Sequence, residues 1–158
     1  MPSTENIVDV KYGINFAKTL SFSYKSMEVL ELQEIDLTKL KVKFVNKIEV
    51  NKNLQIIEID FGTNFFNDKD IELLEYSLRM NYHILNFEEA VVSNSDPQTY
   101  EIHDRLMLHL MGLTISTARG ILISHLMNTD YKNIFIPVFS ESEIEKLFFS
   151  GKKEKSKE

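Results

Sequence analysis

The side chains able to do chemistry are few and scattered. The four histidines are His83, His103, His109 and His125, and none forms the i, i+4 pair of a zinc-binding helix. His109 and His125 lie sixteen residues apart, a spacing that suits polar atoms at a packed surface better than metal ligands. The chain has no cysteine, which excludes disulfides, thiolate ligands and thiol nucleophiles. No nucleophile elbow, phosphate-binding loop or GxGxxG run occurs. Glu88-Glu89 lies at the end of a strand-like run, where a solvated surface explains paired carboxylates. We therefore expect no catalytic residue, no metal site and no cofactor. Arg119 is the exception among the charged residues, because it falls inside a long apolar run. It either meets a carboxylate at a subunit interface or extends along a helix flank to water.

The bulk of the chain narrows the function classes. Its 158 residues fit one domain, expected over residues 1–150, which would bury roughly 70% of the extended surface. Apolar residues make up 43% and charged residues 27%, a globular composition. The net charge is −6; residues 151–158 contribute +2 through four Lys and two Glu, leaving −8 for the body. A body of that sign is a poor partner for nucleic acid, whose binding rests on Lys and Arg neutralising phosphates. The Lys-rich end reads as a solvated, disordered tail. The opening residues carry no basic and apolar signal segment, so the expected setting is the cytoplasm. The run 106–127 approaches membrane-spanning length, but a charge near its centre is costly in lipid and argues against insertion.

The elements follow from periodicity. Apolar residues at Val8, Val10, Tyr12, Ile14, Phe16, Leu20, Phe22 and Tyr24 alternate as in a strand with one buried face. Seventeen residues would extend about 55 Å, so a bend is expected near Ala17-Lys18-Thr19. Residues 27–40 read as a loop with a short helix. A second strand carries Val42, Phe44, Ile48 and Val50 on one face, with Asn46 interrupting. A third carries Ile57, Ile59, Phe61 and Phe65. The clearest alternation is Leu74, Tyr76, Leu78, Met80, Tyr82 and Ile84. Short polar turns between strands predict an antiparallel meander. Ser93-Asn94-Ser95-Asp96-Pro97 then breaks the pattern ahead of a long helix.

Within that helix, small residues recur every fourth position at Gly112, Ser116, Gly120 and Ser124. Positions four apart share a face, so this stripe forms a furrow where a second backbone can approach. The other sides are apolar as well. Leaving four large apolar side chains in water forgoes about 6–12 kcal/mol, which predicts that a second copy covers one face, with Arg119 at that interface. Downstream, Phe135, Ile136, Val138 and Phe139 form an apolar, nonhelical connector of the kind that marks recognition sites. A final helix over 140–149 opens on a capping box, Ser140 with Glu143, and carries Ile144, Leu147 and Phe148.

The order of elements and several local runs resemble the SecB family of export chaperones. The runs are Leu20-Ser21-Phe22, Val42-Lys43-Phe44, Ala118-Arg119 followed by Ile121 to Met127, Ile134-Phe135-Ile136-Pro137-Val138, and Leu147-Phe148. The resemblance spans roughly residues 10 to 150. It implies an α+β fold: a four-stranded antiparallel sheet, a long helix and a short C-terminal helix. It also implies an ATP-independent holdase that binds unfolded client polypeptides, such as precursors for export. The assembly it implies is a homotetramer, a dimer of dimers built through the long helices and first strands. Groove residues carried over by position are Val42, Phe44, Ile136, Val138, Leu147 and Phe148; Phe135 joins them from the connector. Delivery to the SecA motor is not expected. Thr19, Ser23, Tyr76 and Leu78 occupy positions that the resemblance places on the outer, acidic sheet surface, and the tail is Lys-rich. The alternatives are a SecB-like chaperone of a toxin–antitoxin system, a small-ligand-binding α+β domain, and a scaffold with one fixed protein partner.

Overall fold

The structure is a computed structural model that describes residues 9, 11–93, 95 and 99–150. Val8, Val10, Asn94, Asp96, Pro97 and the Lys-rich tail 151–158 lie outside the described residues. Four long strands form one antiparallel sheet: β1 (Tyr12–Tyr24), β2 (Lys41–Asn51), β3 (Ile56–Phe66) and β4 (Glu72–Ile84). A short helix α1 (Phe87–Ala90) and a two-stranded ribbon of β5 (Val91–Ser93) and β6 (Tyr100–Ile102) come next. The long helix α2 (Asp104–Leu126) and the terminal helix α3 (Glu141–Phe148) complete the chain. The α+β class and the order of sheet, long helix and short helix are as expected; α1 and the ribbon are additions within the stretch read as a break.

β2, β3 and β4 form the predicted meander. Its turns are closed by asparagine: Asn51 Oδ1 accepts from the Leu54 N–H at 3.1 Å, and Asn67 Oδ1 accepts from Lys69 and Ile71 at 3.0 and 2.9 Å. The strand order is β1-β4-β3-β2, so β1 pairs with β4 rather than β2. This corrects the sequential order that short turns suggested. The connection from β1 to β2 is long enough to cross one end of the sheet, and it buries apolar side chains as it does so. Met27, Leu30, Leu32, Ile35 and Leu40 pack against the core, while the Lys25 N–H donates to Leu73 O at 3.0 Å.

The expected bend in β1 is two register shifts, between Ile14 and Phe16 and between Thr19 and Ser21. Each places an extra residue in the edge strand, and a bulge switches the faces of the residues beyond it. Phe16 therefore pairs with Asn81 and lies on the outer face, not beside Ile14. The inner face holds the core. On β4, Leu74, Tyr76, Leu78, Met80, Tyr82 and Ile84 are each at most 1% exposed. Tyr76 and Leu78 are thus core residues, and Thr19, paired with Leu78, shares their face. Of the four positions expected on the outer surface, only Ser23 has its neighbours there.

The outer face carries a polar network, with the exposed Phe16 and Val45 beside it. Arg79 holds Asp60 through two bonds of 2.7 Å, with Glu58 at 3.2 Å. Asn81 donates to Glu58 at 2.9 Å and accepts from Asn15 at 2.8 Å, which ties β1, β4 and β3 together across that face.

Helix α2 lies on the inner face through Leu106, Met107, Leu110, Met111, Thr114, Ile115, Ala118, Leu122 and Leu126, all buried. By length and composition it is apolar enough to cross a membrane, with a mean hydropathy of 1.5. One buried polar knot fixes its position. Thr114 Oγ1 donates to Leu110 O at 2.8 Å, and the Tyr82 hydroxyl lies 2.9 Å from Thr114 Oγ1 and 3.2 Å from Leu110 O. Burial pushes the Tyr82 phenol up to about 12. At α3 the capping box closes in both directions: Ser140 Oγ accepts from the Glu143 N–H, and the Glu143 carboxylate accepts from the Ser140 N–H at 2.7 Å. Those bonds hold the Glu143 carboxyl below its ordinary range.

Candidate functional site: an apolar groove along the free edge of the sheet

β2 is an outer strand, so among the described residues one side of its backbone has no strand partner, and its inner-face residues lie at the rim of the core. Val42, Phe44, Ile48 and Val50 are half-buried there, with Asn46 exposed between them. Phe44 is the centre of an aromatic cluster drawn from four elements. Its ring stacks on Phe61 of β3 at 5.9 Å, meets Phe139 of the connector edge-on at 5.3 Å, and lies 6.4 Å from Phe148 of α3. Phe61 and Phe148 are 6.1 Å apart. Edge-to-face and offset pairs at these separations add about 0.5–1.5 kcal/mol each beyond area burial. The cluster is therefore firm, yet Phe44, Phe139 and Phe148 all keep part of their surface in water. Toward the other end of β2 a hollow of about 700 Å³ has a mixed lining, apolar at Ile48, Val50 and Met107 and polar at Glu49, Glu58 and Asn81.

On the connector and α3, the elements that supply Phe139 and Phe148, three apolar side chains are strongly exposed: Val138 at 79%, Phe135 at 57% and Leu147 at 51%. The structure thus brings Phe44 and Phe148 together and leaves Val42, Phe135, Val138 and Leu147 accessible. Ile136 is corrected. It is fully buried, its side chain turned into the core while its neighbour Phe135 faces water. Two members of the cluster were not among the expected groove residues. Phe61 read as a plain strand-face position, and Phe139 as part of the apolar connector without being carried into the groove. Their signal is the placing of aromatics on facing positions, which becomes visible only once the strand pairing is known.

The small-residue stripe divides in two. A Cβ on Gly112 would meet Ile144 Cδ1 of α3 at 3.8 Å, so this part of the furrow is covered by the chain's own last helix. Gly120 would meet nothing within 4 Å, and Ser116 and Ser124 are exposed. The open part is flanked by Ile123 at 44% and Met127 at 65% exposure. Between α2 and the connector a cleft of about 280 Å³ is lined by Leu108, Gly112, Ser116, Arg119, Val138 and Phe139 among others. Candidate interface residues and candidate client residues therefore share one cleft.

Arg119 is half-buried, and among the described residues it has no carboxylate partner. Its Nε donates to Ile136 O at 2.7 Å and its Nη2 to Pro137 O at 2.6 Å, both within the same chain. Hydrogen bonds from a charged donor contribute roughly 1.5–3 kcal/mol each, enough to retain a guanidinium on an otherwise apolar helix. Two histidines also have local partners. His109 Nε2 lies 2.6 Å from the Tyr12 hydroxyl, and the His125 ring stacks on Phe22 at 4.7 Å. Both join α2 to β1.

β1 is the other outer strand. Ile14, Phe16, Leu20 and Tyr24 are between 43% and 50% exposed along it. A long edge strand carrying apolar side chains invites pairing with another chain.

The sequence matches no family model and no curated protein. Similar solved structures include a SecB-like chaperone from Mycobacterium tuberculosis in complex with a ChAD peptide from the HigA1 antitoxin. It has a TM-score of 0.45 and 5% identity, over 82% of this chain and 88% of that one. Another is a protein of unknown function from Streptococcus agalactiae, with a TM-score of 0.29 and 9% identity, over 82% of this chain and 99% of that one. Both TM-scores are below 0.5, and neither likeness carries an argument about this chain.

Proposed function

We propose that this protein is an ATP-independent chaperone of the SecB type, a holdase that keeps unfolded polypeptides from aggregating. One observation carries the reading: a half-open cluster of phenylalanines sits against a strand edge that has no partner among the described residues. An extended client can add hydrogen bonds along that edge and place alternate apolar side chains in the groove. Such recognition needs apolar residues and a backbone rather than a particular sequence, which suits a holdase. Catalysis and cofactor binding form no part of this reading. Nor does membrane insertion, because nine residues of α2 already lie on the sheet and Arg119 is fixed to the connector.

In the same reading the working form is a homo-oligomer, a dimer of dimers in the cytoplasm. The uncovered flank of α2 at Gly120, Ser124, Ile123 and Met127, together with the β1 edge, is the surface a second copy would cover. The clients are unfolded chains such as export precursors. The outer sheet face favours no acidic docking to a SecA-type motor, since Lys18 and Arg79 are interspersed there with Glu58, Asp60 and Glu75.

The test is suppression of aggregation of several unrelated denatured proteins without ATP, with the mass measured by light scattering. The wild-type chain should suppress aggregation at a multiple of 18.4 kDa. The double variant Phe44→Asp, Val138→Asp should lose suppression and keep its mass. Suppression that survives the double change would remove the groove assignment, and a wild-type monomer would remove the assembly.

A further inference from the structure

We propose that Arg119 is the positioning residue of the client groove, acting through the connector and not by touching the client. The inference rests on the polypeptide-binding reading above. The connector, residues 135–139, has no regular secondary structure. Among the described residues its backbone makes no hydrogen bond to other backbone, and the hydrogen bonds it does receive come from Arg119. Two donors of one planar fork meet the carbonyls of two successive residues, Ile136 and Pro137. This geometry fixes direction as well as distance, and a lysine's single ammonium cannot reproduce it. Arg119 has no ion pair among the described residues, so its charge is not there to neutralise a neighbour.

The consequence falls on the next two residues. With the carbonyls of Ile136 and Pro137 held against α2, Val138 stands out into water and Phe139 meets Phe44 at 5.3 Å. Arg119 also lines the cleft between α2 and the connector, so a single side chain sets the separation of the two walls. Without it the connector would keep its buried anchor, Ile136, and lose the orientation of the residues that form the groove.

The experiment uses the full chain. It has no native cysteine, so Val138→Cys provides a single attachment point for a nitroxide spin label. Label mobility is compared with and without Arg119→Met, which retains most of the aliphatic stem. Separately, unlabelled wild type, Arg119→Met and Arg119→Lys are titrated with one denatured polypeptide well below the melting temperature of each. The expected results are a more mobile label and at least about a tenfold loss of client affinity in Arg119→Met, as losing charge-assisted hydrogen bonds implies. Arg119→Lys should recover only part of that affinity. Ethylguanidinium should restore binding to Arg119→Ala where ethylammonium does not, a rescue that a general loss of stability would not show. Should Arg119→Met fail to fold, Arg119→Lys and the rescued Arg119→Ala carry the comparison. Unchanged mobility, or wild-type affinity in Arg119→Met, overturns this proposal and leaves the holdase reading standing. A wild-type chain that holds no client overturns both.

Discussion

β1 and β4 are equal in length, thirteen residues each, and both alternate apolar and polar side chains, yet they end in different environments. β4 has a strand on either side and α2 above it, and its six inner residues are sealed from water. Among the described residues β1 has one neighbouring strand, two register shifts and four large apolar side chains close to half exposed. Period-two alternation reports that one face avoids water; it does not report how many neighbours will cover it. The pairing is the same along most of both strands. The difference lies in the second edge, which in β1 has no partner strand among the described residues.

The largest effect should come from removing bulk where the covering is complete. Leu78→Ala in β4 should cost about 2–5 kcal/mol, read as a lower urea midpoint with an unchanged slope. A loss below about 1 kcal/mol would mean that the centre of the sheet is less tightly enclosed than the structure shows.

A second difference is electrostatic. Burial raises the Tyr82 phenol of β4 to about 12 in the folded state, against an ordinary value near 10. Between those two values the folded protein binds more protons than the unfolded one. The contribution is therefore fully present below pH 10 and lost as the pH rises toward 12. Unfolding free energy should fall across that window, and Tyr82→Phe should flatten the slope there. An equally steep fall in the variant would assign the effect to other groups.

The smallest effect on stability, and the most telling for β1, is expected from Leu20→Asp on the free edge. It should change the stability of the protomer by no more than about 0.5 kcal/mol, as for a surface site. In the proposed assembly it should nonetheless lower the mass in solution toward 18.4 kDa. An unchanged mass would free β1 from any role in assembly and make its exposed residues ordinary surface.

The site was legible in part. The apolar connector was readable as a run of large apolar residues outside any helix, whereas Phe44, Val138 and Phe148 were named by position from the family resemblance. The place of Ile136 was not readable: it is buried while Val138, two residues on, is exposed, and only the path of the connector separates them. Arg119 stood out in the sequence as a charge within an apolar helix, but its partners are backbone carbonyls seventeen and eighteen residues away, and carbonyls leave no mark in a sequence. Likewise, Gly112 and Gly120 look equivalent on a helical wheel. One lies under Ile144 and the other is open, since only the path of the last helix distinguishes them.

From the sequence alone came the elements and their faces: the buried residues of β3 and β4, the span of α2 and the capping box of α3. These depend on backbone geometry that repeats every two or every 3.6 residues, so a short window contains the whole signal. The tertiary structure alone decided that β1 joins β4, that two bulges turn Phe16 outward, and that the connector is held by Arg119 beside a cluster of four phenylalanines. Those choices depend on contacts between residues far apart in the chain. There the entropy of closing a long loop is set against the surface it buries, and no local pattern records which closure wins.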